Sequence, residues 1–432
     1  MEAERFADLT VEQAVAGAAS FADLSDFDLL RAAARVVAVP KRGDGSSFEI
    51  HAPLELLARY HLLPFVSADD RALVRLQMIA STALYAGTGN AVAPPAAVPA
   101  SDGEPKALIA ELEHAIGAGQ VDRSDAAFIA LTACGDPMIV LASLADRALR
   151  TLTGAAHTHI ALMLLARTWG DGVPEILQLA RAGVRALAEA PGLNLQPTTG
   201  PGQLGMLSTA LATVPTVLFP TFSVQAMVQA PEQAGLMDAV IGDRLLAGTA
   251  PIGWEDALRT SCRIAALSML GDSPDGAKYG WTHALTMPQA AWALAQLFPD
   301  AAFRRQAAQS SLAWVIAFRA TLGNANLNRT PTFPRTGADI VTALYDAPAA
   351  AAAVAWHTPA AERGRLVRVL ASEAAVRVDA HLVKYVRACC DVARLDATYA
   401  HLYYAAAAYL CALWCCEEPR DAIRERLSAP RN

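Results

Sequence analysis

Lysine is nearly absent from this chain. Of 35 basic residues only Lys41, Lys106, Lys278 and Lys384 are lysines, so almost every cation is written as arginine. Charge as a whole is thin: 18% of the 432 residues are charged against 54% hydrophobic, and the net charge is −7. With no basic block, the composition argues against nucleic acid as a partner. No apolar stretch with a basic start and a small-residue cleavage site opens the sequence, since Met1-Glu-Ala-Glu-Arg is acidic and polar. The seven cysteines, five of them between Cys389 and Cys416, lack the paired C-x-x-C ligands of a structural zinc site. Reduced thiols acting as small buried hydrophobes, in a cytoplasmic protein, are the expectation. Also missing are the G-x-x-x-x-G-K-[ST] phosphate loop, H-E-x-x-H and G-x-S-x-G. Gly200-Pro-Gly202-Gln-Leu-Gly205 matches a dinucleotide fingerprint only as letters, because no strand precedes it and a proline occupies the turn.

What the chain does contain is helical periodicity. Apolar residues at three and four spacing predict helices at about 11–21 and 27–39, capped by Thr10 and Ser25, at 51–63, and at 67–86 behind Ser67. Further helices are expected at about 106–118, 124–133, 137–153, 156–168, 173–189, 253–269, 274–298, 300–321, 336–357, 359–375, 378–394 and 396–416. There is no β-α-β rhythm, no repeat of fixed period and no sustained strand alternation, so the fold class is all-α: one large multi-helix domain over 1–432, without a substantial β-sheet. Residues 88–105, rich in Pro, Ala and Gly, read as an exposed linker or loop. From Ala190 to Pro231 no residue is charged and six prolines intervene. Those breaks are incompatible with a membrane span, and the segment reads as irregular packing over the core or as the apolar wall of a pocket.

The chemistry-bearing stretch is Asp379-Ala-His381-Leu-Val-Lys384-Tyr385. Residues three apart share a helix face, so His381 and Lys384 can aim at one point. A buried lysine can lose its proton, which arginine cannot. The other reading is an amphipathic lysine whose head reaches solvent. His157 and His159, two apart, point about 200° away from each other on a helix, so at most one faces a common interior site.

Several fragments resemble the questin oxidase-like family. They are Gly280-Trp-Thr-His283-Ala-Leu-Thr-Met-Pro288-Gln289, the stretch around His381, Leu402-Tyr-Tyr-Ala-Ala-Ala-Ala-Tyr-Leu410, and more loosely the segments around His51 and His159. The resemblance implies a helical enzyme that acts oxidatively on aromatic polyketides, anthraquinones in particular. One branch of the family is a non-heme iron dioxygenase that opens a ring, its metal held by four histidines and a lysine carboxylated on its amine. Carried over, the ligands are His51, His159, His283 and His381, with a carbon dioxide-derived carbamate on Lys384. Fe(II) is then the metal and O2 the co-substrate. Gln289, Asp379 and Tyr385 are candidates to orient those ligands. Where the family's first motif carries further histidines this chain has Leu54 and Glu55, so Glu55 or His61 stands as an alternative to His51. The implied function is oxidative C–C cleavage or ring opening of a small quinone-like substrate in secondary metabolism, with a homo-oligomer left open. Competing readings are an NADPH-dependent Baeyer–Villiger-type oxidase, a non-catalytic helical binding protein and a metal-dependent hydrolase.

Overall fold

Helix caps are where the sequence specifies this structure most directly. Thr10 accepts from the Gln13 amide while the Gln13 side chain returns to the Thr10 amide, forming a full capping box. Ser25 and Ser67 accept from the amides of Asp28 and Asp70. Each of these side chains satisfies a donor that the first helical turn leaves without a partner. The computed structural model describes residues 10–42, 48–93, 95–96, 105–134, 136–151, 156–168, 174–189, 253–323 and 331–428. The uncharged segment 190–231 lies outside them.

In chain order the helices are α1 Val11–Ala16, α2 Asp26–Val37, α3 Phe48–Leu62, α4 Ala68–Gly87, α5 Pro105–Gly117, α6 Val121–Cys134, α7 Pro137–Thr151, α8 His157–Thr168, α9 Pro174–Leu177 and α10 Arg181–Glu189. They continue as α11 Trp254–Gly271, α12 Thr282–Leu297, α13 Ala301–Leu322, α14 Ile340–Asp346, α15 Pro348–His357, α16 Arg363–Ala375, α17 Ala380–Leu395, α18 Ala400–Glu417 and α19 Arg420–Ser428. The fold is all-α, as the periodicity predicts. Its one β element among the described residues is a two-residue antiparallel pair, Lys41 opposite Ala91 and Arg42 opposite Asn90. That pair, together with the Val92 amide on the Pro40 carbonyl at 2.8 Å, pins the start of the stretch expected to be a free linker.

Several of the expected helices are interrupted: 11–21 ends as a helix at Ala16, and 173–189 is divided by a 3₁₀ turn at Gln178–Ala180. The 336–357 pattern breaks at Ala347, whose extended backbone (φ −160°, ψ 150°) ends α14, and Pro348 begins α15. Proline lacks the N–H that a continued helix would need and suits a first turn. The 274–298 pattern opens with a short 3₁₀ turn, Pro274–Gly276, and a π turn, Ala277–Trp281, before α12 proper. Inserted π turns are frequent at functional sites.

Four helices make the inner ring. α3 packs on α17 and α8, and α12 packs on the same two. Around them lie α2 and α4 outside α3, α7 and α10 outside α8, α11 and α13 outside α12, and α18 outside α17. Ring helices touched on all sides should be apolar all round, and α12 is buried from Thr282 to Ala295 without a break. α18, uncharged as far as Cys416, is likewise buried over most of its surface, and among the described residues no helix is long and apolar enough to cross a membrane. Cys262, Cys389, Cys390, Cys411 and Cys415 are buried free thiols, as expected of small hydrophobes, whereas Cys416 is exposed.

Candidate metal centre

The N-terminal halves of the four ring helices each contribute a histidine to one interior point. His51 comes from α3, His157 opens α8, His283 is the second residue of α12 and His381 the second of α17. One ring nitrogen from each lies within 4.8 Å of all the others. His51 Nε2 is 3.0 Å from His381 Nε2, and His283 Nε2 is 3.2 Å from His157 Nε2. The Lys384 amine sits 3.1 Å from the Nε2 atoms of both His157 and His283. The rings meet at steep angles, 71° for His51 and His157 and 86° for His157 and His283. Imidazoles so inclined converge on a common centre instead of stacking.

Local structure explains how each side chain is aimed. The His283 Nδ1–H donates to the Tyr279 carbonyl at 2.7 Å, a carbonyl inside the π turn. That bond fixes the tautomer and leaves an Nε2 lone pair facing the cluster. From outside the ring, the Trp314 indole donates to the His283 carbonyl at 2.9 Å. On α17, Asp379 is the N-cap and accepts from the Leu382 amide at 2.8 Å, with its carboxylate 3.7 Å from His381 Nδ1. Ahead of α8, Ala156 takes the left-handed region at φ 60°, which costs roughly 1–2 kcal/mol for a residue with a Cβ.

Burial governs the electrostatics. Removal from water pushes the His157 and His283 imidazoles well below their ordinary range, the Lys384 amine adding to the effect, and it lowers His381 in the same direction. Lys384, 2% exposed, is lowered by desolvation to about 7, with Asp379 opposing. Burial raises Asp379, against the Leu382 amide that it accepts. Seven cationic side chains are buried among the described residues. Arg59, Arg181, Arg185, Arg319, Arg377 and Arg387 each face a carboxylate, whereas the polar contacts of Lys384 are two imidazoles.

These positions sort the candidates. His51, His283, His381 and Lys384 come together as a set. His159 does not join them, and His157 stands in its place. Two residues along α8, His159 points the other way, fully buried, where the Ala156 carbonyl acts on it. Glu55 and His61 are committed elsewhere. Glu55 pairs with Arg59 and accepts from Ser81 at 3.1 Å, and His61 Nε2 meets the Leu164 carbonyl and the Thr168 hydroxyl. Of the residues expected to orient ligands, Asp379 is beside His381. Gln289 instead reaches Asp391 at 3.4 Å, and Tyr385 faces Cys389 and Cys262. The contributions of Tyr279 and Trp314 are backbone-directed and leave no mark in the sequence pattern.

Four close, buried imidazole nitrogens can hold a metal ion. With bonds of about 2.0–2.1 Å, neighbouring nitrogens around one metal lie about 3.0–3.4 Å apart, and the closest pairs here are at 3.0 and 3.2 Å. An all-imidazole set suits zinc, copper, iron or nickel. In comparisons with protein-family models, curated proteins and solved structures, nothing matches this chain.

Proposed function

We propose that the chain is a non-heme iron oxygenase, with Fe(II) held by His51, His157, His283 and His381 and by a carbamate on Lys384. The observation that carries this reading is the position of Lys384: a buried amine that makes no ion pair with a carboxylate among the described residues, 3.1 Å from two of four converging imidazoles. A neutral amine there adds carbon dioxide. The nitrogen lone pair forms an N–C bond, one C=O electron pair moves onto oxygen, and the nitrogen gives up a proton to solvent. A cation thereby becomes an anionic oxygen ligand, and imidazole with carboxylate-like oxygen is a donor set suited to iron and oxygen activation. Bound iron would supply the one-electron chemistry by which dioxygen reacts with an organic carbon.

The remaining work falls to the protein. Tyr279 and Asp379 hold His283 and His381 in orientation, and the apolar ring helices exclude water from the reacting groups. The substrate class we propose is a small aromatic polyketide or quinone, cleaved at a C–C bond. A dioxygenase of this kind places both atoms of O2 in the product and needs no external reductant.

Purification with iron supplied, followed by metal analysis and by ¹³C NMR under labelled bicarbonate, tests the site. About one iron per chain is expected, with a carbamate resonance that Lys384→Arg abolishes. A chain that retains no transition metal above trace sinks the proposal. Oxygen uptake with a hydroxyanthraquinone then tests the reaction: uptake without NADPH supports a dioxygenase, and uptake that consumes NADPH one for one supports the Baeyer–Villiger alternative.

A further inference from the structure

The wall of the histidine cluster is not uniform. His381 is the ligand that reaches furthest toward solvent, its side chain 12% exposed, while His51, His157 and His283 are buried. The Tyr279 ring packs against His381 with centroids 5.0 Å apart and planes at 88°. Tyr279 is nevertheless 43% exposed. Among the described residues seven large apolar side chains stand exposed, and Tyr279 is the one whose ring packs on a histidine of the cluster. Scattered exposed apolar residues need no explanation, but an aromatic ring left open beside a polar site is placed to meet a ligand.

The turn that carries Tyr279 is built to hold it there. Its carbonyl is engaged by His283. Its neighbour Lys278 pairs with Glu417 and lies 4.1 Å from the Trp414 ring centroid, which fastens the turn to α18. Gly280 follows. A Cβ at that position would come within 2.5 Å of Leu322 Cδ1, so the absent side chain lets the turn sit close on α13. The ring is therefore fixed at its base and open on its outer side. Asp379, which follows Val378, lies near enough to act on the Tyr279 hydroxyl electrostatically.

We propose that Tyr279 is the platform on which a planar aromatic substrate lies at the mouth of the histidine cluster. A flat molecule stacked on Tyr279 also stands perpendicular to the His381 imidazole. Offset stacking of this kind favours aromatic over saturated rings of the same size. Tyr279 is then a substrate-positioning residue, and the inference rests on the oxygenase reading given above.

The experiment uses full-length, iron-loaded protein under anaerobic conditions, so that binding is read without turnover. The probes are 1,8-dihydroxyanthraquinone and a saturated bicyclic diol of similar size. Tyr279→Phe should bind the anthraquinone within about twofold of the unaltered protein, and Tyr279→Ala about tenfold or more weakly. Iron per chain and melting temperature should stay unchanged, and affinity for the saturated diol should be the same in all three proteins. Equal anthraquinone affinity in Tyr279→Ala overturns the proposal. So does an equal loss for both probes, or a loss that follows iron content, because either would make Tyr279 structural. Absence of anthraquinone binding to the unaltered protein also overturns it. Absence of iron from the unaltered protein defeats the oxygenase reading instead, and the affinities of Tyr279→Ala and Tyr279→Phe still decide the platform.

Discussion

At the scale of single residues, the sharpest contrast is between two histidines on one helix. His157→Ala removes a nitrogen from the converging set and should abolish stoichiometric metal binding. His159→Ala should leave metal bound while destabilising the fold by about 2–3 kcal/mol through the cavity it opens. Metal analysis after dialysis, paired with urea unfolding, separates the two, and an emptied site in His159→Ala alone would overturn the assignment. The sequence makes part of this set legible. His381 and Lys384 are 60° apart in helical projection, near enough to share a target, whereas Tyr385, one residue on, is turned 100° from Lys384 and faces the thiols. Gln289, six residues beyond His283, is turned away for the same reason. Spacing also says that His157 and His159 cannot both face inward. Which of them does depends on the rotation of α8, set by its packing against α3, α7, α10 and α12, and the spacing of the two histidines carries no signal for that. A resemblance weighted on Thr158-His159 therefore lands one residue pair off.

At the scale of elements, the ring works because its helices approach closely at chosen points. Gly183 on α10 faces Thr158: a Cβ there would lie 3.1 Å from both Thr158 Cγ2 and Oγ1. Glycine to alanine within a helix gains up to about 1 kcal/mol in propensity. Here the added methyl meets a buried, β-branched side chain with little freedom to rotate, and overpacking costs about 1–3 kcal/mol. Gly183→Ala should therefore destabilise by about 1 kcal/mol net. Metal affinity should also fall, because Thr158 adjoins His157. Chemical denaturation and a metal-competition titration check both parts. Asp379 offers a second case. Asp379→Asn retains an N-cap acceptor and should hold stability within about 0.5 kcal/mol, whereas Asp379→Ala should cost about 1 kcal/mol; equal unfolding midpoints for the two would contradict its role as a cap. The helices themselves are legible from periodicity and capping residues. The π turn before α12 is not, because one extra residue in a turn leaves the apolar spacing on either side nearly unchanged.

For the whole molecule, the cluster makes stability depend on pH. In the metal-free protein the folded-state imidazoles of His157, His283 and His381 are held below their unfolded value of 6.5. The unfolded chain therefore binds more protons as pH falls through about 6.5, and stability drops. Lys384 extends the effect upward. With its folded value lowered to about 7 from 10.5, the unfolded chain again holds the extra proton between those limits, so this contribution to stability rises with pH across that window, by on the order of 5 kcal/mol. Urea midpoints of metal-free protein should rise from pH 6 to pH 7.5. Above that, burial raises the thiols of Cys262, Cys389, Cys390, Cys411 and Cys415 and opposes the trend. The Lys384 effect is therefore read as the difference, unaltered protein minus Lys384→Met, which should grow from pH 7 to 9; a constant difference would refute the origin. The chain's avoidance of lysine elsewhere becomes intelligible at this scale, because its other buried cations are arginines forked to carboxylates and stay charged throughout. The ligands are also spread along the chain: His51 and His381, whose nitrogens are 3.0 Å apart, bracket most of it. During synthesis the first three histidines leave the ribosome long before the fourth, and no partial product can close the ring. The complete ligand set therefore reports that α3, α8, α12 and α17 have come together from widely separated parts of the sequence.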